Sequence, residues 1–466
     1  MLAIALLFQV LGAPSSPVPE GDWPRFRGPN GSGVLDGKEL PPSLDPAKCL
    51  AWKLDVPPGT SSPVVAGGRL FLTGAEGEER IVLAIDAATG KELWRKSFRR
   101  ERTEASNGMN GPASPTPAAG GGAVFVFFPE IGLIALEAGG EERWRKPLGP
   151  FRSMHGIASS PVFAEGKVLL LIDHLATSYL AAFDAASGKE AWKTERASGV
   201  TGGYSSPAVT GTGSEARVIV AGAFELTAYA VSGGERVWWA TGLTNAPVGL
   251  PVVDEERVYV CEPVGESHPF KEALKYDKDG DGKISRDEMA GEPAFLSLLE
   301  RIDTAWGNGD GAVEASEFEK AFGLFVGNGG LAAVRLGGKG DVTRTHLAWR
   351  QTKGLPYVPS VILYRQTLFA VRDGGILTSF DPATGAVRKQ ARLEGAEGSY
   401  YASPVAGDGK LIFLSESGKV SMVKAQPEWE LLSSSDLGER AYATPAISEG
   451  RVYLRTGKTL LCLGKN

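Results

Sequence analysis

Apolar and β-branched residues gather along this chain in runs of about four to eight, such as RLFLTG at 69–74 and KVLLLI at 167–172, each bounded by turn residues. Runs this short predict many strands joined by tight turns. One interval departs from the pattern. Between roughly 264 and 327 the apolar positions take up helical spacing, as in FLSLLERID at 295–303.

The strands come in repeated groups, and a fixed period in sequence is the mark of a repeat architecture. LAIDAATGKELWRK ends its unit around Trp94, IALEAGGEERWRK around Trp144, LAAFDAASGKEAWK around Trp192 and TAYAVSGGERVWW around Trp238, advancing by 50, 48 and 46 residues. Each unit begins with small residues and a proline: SSPVV at 61, ASPTPA at 113, SSPVF at 159 and SSPAV at 205. Further starts follow at NAPVGLPVV (245), YVPSVIL (357), YASPVA (401) and YATPAI (442). In the first unit Asp86, Thr89 and Gly90 carry turn chemistry, and the following tryptophan can cover the gap to the next sheet. Four strands per unit are the composition of a propeller blade. The last unit lacks its fourth strand, and CLAWKLDV with Trp52 supplies one from the other end of the chain. Fourth-strand positions are thus expected at Trp52, Trp94, Trp144, Trp192, Trp238, Trp349, Arg388 and Trp429. The expected fold is all-β: an eight-bladed β-propeller of four-stranded antiparallel blades, with a small α-helical insertion in the fifth blade. The expected divisions are a signal segment at 1–14, an irregular stretch at 15–48, and propeller at 49–263, of which 49–56 completes the last blade. The insertion then occupies 264–327, and 328–466 is the remaining propeller.

The A-x-D-x-x-T-G-x-x-x-W unit resembles the tryptophan-docking repeat of the PQQ-type, quinoprotein-like propellers. The opening GDWPRFRGPNGSGV is similar to the start of exported bacterial members of that family. The resemblance covers nearly all of Gly21–Asn466 outside the insertion, and it speaks for fold more than function. It implies two alternatives: a PQQ-dependent dehydrogenase, or a binding scaffold of the cell envelope similar to the barrel-assembly lipoprotein of the same repeat class. The chain departs from the dehydrogenases in lacking their adjacent cysteine pair, and it has no CxxCH for a heme. PQQ is therefore not an expected cofactor, and the scaffold reading leads.

Inside the helical interval, YDKDGDGKISRDEM fits the loop of an EF-hand. Asp277, Asp279 and Asp281 stand at positions one, three and five, Gly282 makes the turn, Lys283 offers a carbonyl, Ser285 stands at nine and Glu288 closes the loop. A hard Ca²⁺ ion wants such an all-oxygen set. Ile284 is expected to pair with a partner loop. RIDTAWGNGDGAVEASEF is that candidate, with Asn308, Asp310 and Glu317 as ligands. Aligned on Gly311, its first position is Trp306, which cannot ligate; alternatively Asp303 opens the loop and Ala305-Trp306-Gly307 is inserted. Phe295, Leu296, Leu299, Phe318 and Phe322 are expected to form a shared helical core. The ion is expected to be structural.

Composition narrows the field. Sixty-one glycines and 30 prolines suit turns, and a net charge of −6 argues against nucleic acid or an anionic membrane as partner. The apolar run Leu2–Leu11 suits a secretory signal and is too short to span a bilayer, so the expected location is periplasmic or secreted. Three cysteines exclude a thiolate zinc cage, and Cys49 and Cys462 fall on strands that should be neighbours, which leaves a disulfide open. The loops leading into the first strands carry His155, Tyr204, Tyr357, Tyr401 and Tyr442, with Asn107, Asn110, Asn245 and Tyr400 beside them. These tyrosines are candidates for a rim that binds a protein, peptide or glycan of the envelope, or else they plug the gaps above their own blades.

Overall fold

The computed structural model describes residues 19–153, 155–196, 203–244, 246–262, 270–322 and 329–464. The signal segment expected at 1–14 and Asn245 lie outside them. Eight sheets follow one another around a ring. In the first blade Val64–Ala66, Arg69–Glu76, Glu79–Asp86 and Glu92–Arg99 pair antiparallel in chain order, from the channel outward. The second and third strands are buried on both faces because a neighbouring blade covers each. Ala123–Phe128 is buried throughout, whereas outer strands such as Glu142–Pro147 alternate toward solvent.

The ring closes as the repeat count requires. Leu50–Asp55 pairs antiparallel with Thr459–Leu463, Trp52 opposite Cys462 and Leu54 opposite Leu460, completing the eighth blade. Cys49 ends the short helix before that strand, its thiol directed to the carbonyls of Ser43 and Asp45, and all three cysteines are unbridged.

Every outer strand slips register by one residue at the same place, next to the tryptophan position. This bulge turns the indole toward the next blade. Trp94 Nε1 donates to the Ala138 carbonyl at 2.9 Å, Trp144 to Ala185 at 3.0 Å, Trp192 to Val231 at 3.0 Å, Trp349 to Pro382 at 2.9 Å and Trp52 to Ala87 at 3.2 Å. The bulge corrects two expected positions. In the sixth blade Lys389, opposite Ser379, takes the tryptophan's place, while Arg388 is the bulged residue and pairs with Asp381. In the seventh the place belongs to Ser433, opposite Met422. Trp429 precedes that strand, buried, and Lys389 Nζ donates to its carbonyl at 2.5 Å. Trp238 packs with Leu336 and Val342 of the fifth blade's longer connection. There Gly340–Asp341 adds a short parallel strand beside Trp238 and Trp239.

The small-residue starts do more than begin strands. Ser62 N donates to Thr116 Oγ1, Thr116 N to Ser160 Oγ and Ser160 N to Ser206 Oγ. Leu250 N then donates to Ser360 Oγ, Ser360 N to Ser403 Oγ, Ser403 N to Thr444 Oγ1 and Thr444 N to Ser62 Oγ, all seven bonds at 2.9–3.1 Å. A belt of hydroxyls stitches blade to blade around the channel, and Leu250 is the one start that offers none.

The stretch expected to be irregular threads this channel. Trp23 pairs with Val65 of the first blade and Val34 with Ala406 of the seventh. Arg25 donates to the Pro207 carbonyl, and Arg27 Nη2 reaches the Val361 carbonyl at 2.8 Å. Trp23 and Arg27 are fully buried. Burial away from any acid pulls both guanidiniums down to about 9, Arg25 adding to the effect at Arg27.

Candidate functional site

Strands alternate in direction, so the loops entering each first strand and the hairpins between second and third strands share one face of the ring. Two candidate sites lie on it.

The first is the helical excursion, which replaces the fifth blade's hairpin between Arg257–Glu262 and Gly330–Arg335. Asp277, Asp279 and Asp281 place carboxylate oxygens within 4.8 Å of one another. Such crowding of like charges is stable when a cation sits among them. Asp277 Oδ2 accepts the Gly282 N–H at 2.9 Å, which is what the tight turn needs. Glu288 lies outside that trio. Its oxygens accept N–H groups of Ser285 at 2.7 Å and Lys278 at 2.6 Å, and the Ser285 hydroxyl donates to it at 2.8 Å. These bonds hold its carboxyl down at about 2, led by the Ser285 N–H, so it is ionised at any physiological pH. Ile284 pairs with Val313 in a two-strand bridge, as the spacing predicts.

The second loop has a matching turn bond. Asp303 Oδ2 accepts the Gly311 N–H at 2.9 Å, as Asp277 Oδ2 does from Gly282, whereas the Trp306 side chain packs elsewhere. Asn308 accepts from Asp310 N, Asp310 from Ala312 N, and Glu317 from Asn308 N and Glu314 N. Trp306 is a docking residue. It meets Phe224 edge-on at 5.8 Å, in the fourth blade's second hairpin. Leu299 is buried in the same cluster, Leu296 and Phe318 are partly buried against it, and Phe295 stays 49% exposed. The Phe322 side chain lies outside the described part.

The second site is the mouth of the channel. His155 and Tyr204 stand 6.2 Å apart by ring centroids, and Tyr401 and Tyr442 stand 5.4 Å apart. Tyr357 is 67% exposed and lies within electrostatic reach of both Tyr204 and Tyr401, between the two pairs. Tyr442 donates to Glu416 at 2.8 Å. Burial raises Tyr204, Tyr401 and Tyr442 above the ordinary phenol value, so all three remain neutral donors. Tyr400 is a plug, buried and donating to Ala396 O at 2.8 Å. Asn107 folds its own loop, accepting from Met109 N and Asn110 N.

Glu262 was not foreseen. It ends the fifth blade's second strand on this face, is 1% exposed, and accepts the Thr244 N–H, while Oε1 has no partner among the described residues. Burial lifts its carboxyl to about 7. A charged letter directly closing the apolar run VYVC was the available signal.

The family pattern described as outer membrane protein assembly factor BamB, of the PQQ-type repeat class, matches residues 45–174 and 176–431. The chain belongs to this family. Among solved structures, BamB from Moraxella catarrhalis aligns over 89% of this chain and 99% of its own at 13% identity, with a TM-score of 0.51. A europium-containing methanol dehydrogenase aligns over 96% and 98% at 10% identity, with a TM-score of 0.59. At such identities these likenesses concern the fold. Quinohemoprotein alcohol dehydrogenase ADH-IIG of Pseudomonas putida is 29% identical over 152 residues, which are 31% of this chain and 21% of that enzyme. A second such enzyme of that organism, ADH IIB, is 27% identical over 151 residues. The chain thus spans about a fifth of the length of the curated relatives it matches. No described helix is long and apolar enough to cross a membrane.

Proposed function

We propose that this family member is a calcium-stabilised binding propeller of the cell envelope, periplasmic or secreted, which holds an extended protein segment at its tyrosine-lined mouth. The observation that carries the reading is Tyr357, 67% exposed, standing between two tyrosine-containing ring pairs on the face that also bears the helical insert. A large ring left in water beside others offers apolar area and a phenol donor together, the property that makes tyrosine common in binding surfaces. The insert is an EF-hand pair, with Asp277, Asp279, Asp281, the Lys283 carbonyl, Ser285 and Glu288 as the calcium set of its first loop. Its ion stiffens the excursion beside the mouth.

The local likeness to quinohemoprotein dehydrogenases and the neutral-range carboxyl of Glu262 favour a second reading, a PQQ-dependent oxidoreductase. The residues present fit that cofactor poorly. The chain has no adjacent cysteines, and Cys49, Cys261 and Cys462 are separate free thiols. Nine of the ten tryptophans pack in the blade cores, the channel segment or the insert, and Trp239 lies under the Arg236 guanidinium.

Fluorescence anisotropy with labelled amphipathic strand peptides and, in parallel, labelled oligosaccharides tests the mouth. The reading expects peptide binding that weakens at least tenfold in Tyr357→Ala/Tyr401→Ala, since a buried aromatic anchor contributes about 1–2 kcal/mol or more. Peptide affinity unchanged by those substitutions, or binding of oligosaccharide alone, contradicts it.

A further inference from the structure

The two loops of the insert share one wiring diagram but differ in length. From Asp277 to its glycine, Gly282, is five residues; from Asp303 to Gly311 is eight. The Ile284–Val313 pair fixes the alignment from the other side, since both residues follow their glycine by two. The three extra residues continue the helix Pro293–Trp306 past Asp303. They carry Trp306 onto Phe224, where the indole is 7% exposed and Phe224 1%.

Asp303 is the decisive group. It is 1% exposed, Oδ2 is used by the Gly311 N–H, and Oδ1 is buried with no hydrogen-bond partner among the described residues. A buried carboxylate oxygen left bare costs several kcal/mol or more unless a proton or a cation meets it. Glu317 is 7% exposed and already oriented by the N–H groups of Asn308 and Glu314. Asn308 and Asp310 turn their side chains inward on the Asp310 and Ala312 amides. The donor set is all oxygen, three carboxylates and one amide, with the Ala312 carbonyl at the place that Lys283 holds in the first loop. Lys283 Nζ lies 3.6 Å from Asp310 Oδ2, so each loop's charge is felt by the other.

Resting on the reading of the insert as a calcium cradle, we infer that Asp303–Glu317 is a second calcium site, with the Asp303 carboxylate as its innermost ligand. Its lengthened loop ties that ion to the ring. The first loop holds its ion in the insert alone. The second places its ion three residues from the indole that anchors the insert to the fourth blade. Oxygen donors on a loop of unequal spans suit Ca²⁺, which tolerates irregular coordination, better than Mg²⁺.

Calcium uptake by the full chain, measured by equilibrium dialysis with CaCl₂ after chelator treatment, decides the matter. Two ions per chain are expected for the unmodified protein. One is expected for Asp303→Asn and for Glu317→Gln, one for Asp277→Asn/Glu288→Gln, and none when both loops are altered. A protein that binds one ion, loses it in Asp277→Asn/Glu288→Gln and keeps it in Asp303→Asn and Glu317→Gln overturns the second site and leaves the first standing. A protein that binds no calcium overturns both. Hydrogen exchange in 217–230 gives a separate reading: Asp303→Asn should raise exchange around Phe224 while Asp277→Asn leaves it unchanged, and equal exchange in the two contradicts the tie to the ring.

Discussion

Gly90→Ala tests how the blades hold one another. Gly90 has φ +73°, and a Cβ built there would lie 2.6 Å from Trp52 Cδ2 and 2.8 Å from Cε3. Real side chains do not sit so close, so the indole must move and lose its bond to the Ala87 carbonyl. Three costs follow: about 1–2 kcal/mol for a left-handed alanine, about 1 for the hydrogen bond and about 1–3 for overpacking. Together they give about 3–6 kcal/mol. Gly68 supplies the control, because it has the same φ of +73° and nothing within 4 Å of its Cβ position. Gly68→Ala should cost only the backbone share. On a Trp52→Ala background the clash is gone, and Gly90→Ala should fall to the level of Gly68→Ala. Guanidinium unfolding followed by far-UV circular dichroism measures all of these. Equal costs for Gly90→Ala and Gly68→Ala in the unmodified chain would refute the view that the ring closes by docking Trp52 on this turn.

Two more outcomes follow from buried polar groups. Ser403→Ala removes the acceptor of the buried Ser360 N–H and should cost about 1–3 kcal/mol by the same unfolding measurement, from an unpaired amide rather than lost volume. Glu262, lifted from 4.5 to about 7 by burial, is penalised when ionised. Its folded form binds the extra proton, so stability is unpenalised below about pH 4.5, falls as pH rises toward 7, and is lowest above it, by roughly 3 kcal/mol. Glu262→Gln should flatten that slope between pH 5 and 8 in unfolding midpoints, and an unchanged slope contradicts the assignment.

The ring was legible because its parts repeat. The D-x-x-T-G turn and the tryptophan behind it named the outer strands, and the missing last strand pointed to Trp52. The errors came from following the tryptophan's identity instead of its offset. Lys389 stands eight residues after Asp381, as Trp94 stands eight after Asp86, so counting from the turn gives Lys389 instead of Arg388, whereas the seventh blade has no D-x-x-T-G turn to count from. The hydroxyl belt was hidden because each Ser or Thr serves an amide some 40 to 55 residues away across most gaps, which no local pattern records. The path of Trp23, Arg25 and Arg27 through the channel was equally out of reach, since irregular backbone carries no period. In the insert the spacing foretold the Ile284–Val313 pair and the gathering of Asp277, Asp279 and Asp281. The second loop's Asp303–Gly311 bond was not fixed by the spacing, which left two alignments open.

As proposed above, this propeller binds rather than oxidises. The most direct test is a spectrophotometric titration of the calcium-loaded chain with PQQ, followed by addition of a primary alcohol. The account predicts no saturable uptake of the quinone and no bleaching of its absorbance. Stoichiometric uptake, with bleaching that depends on the alcohol and turnover with an electron acceptor, would contradict it.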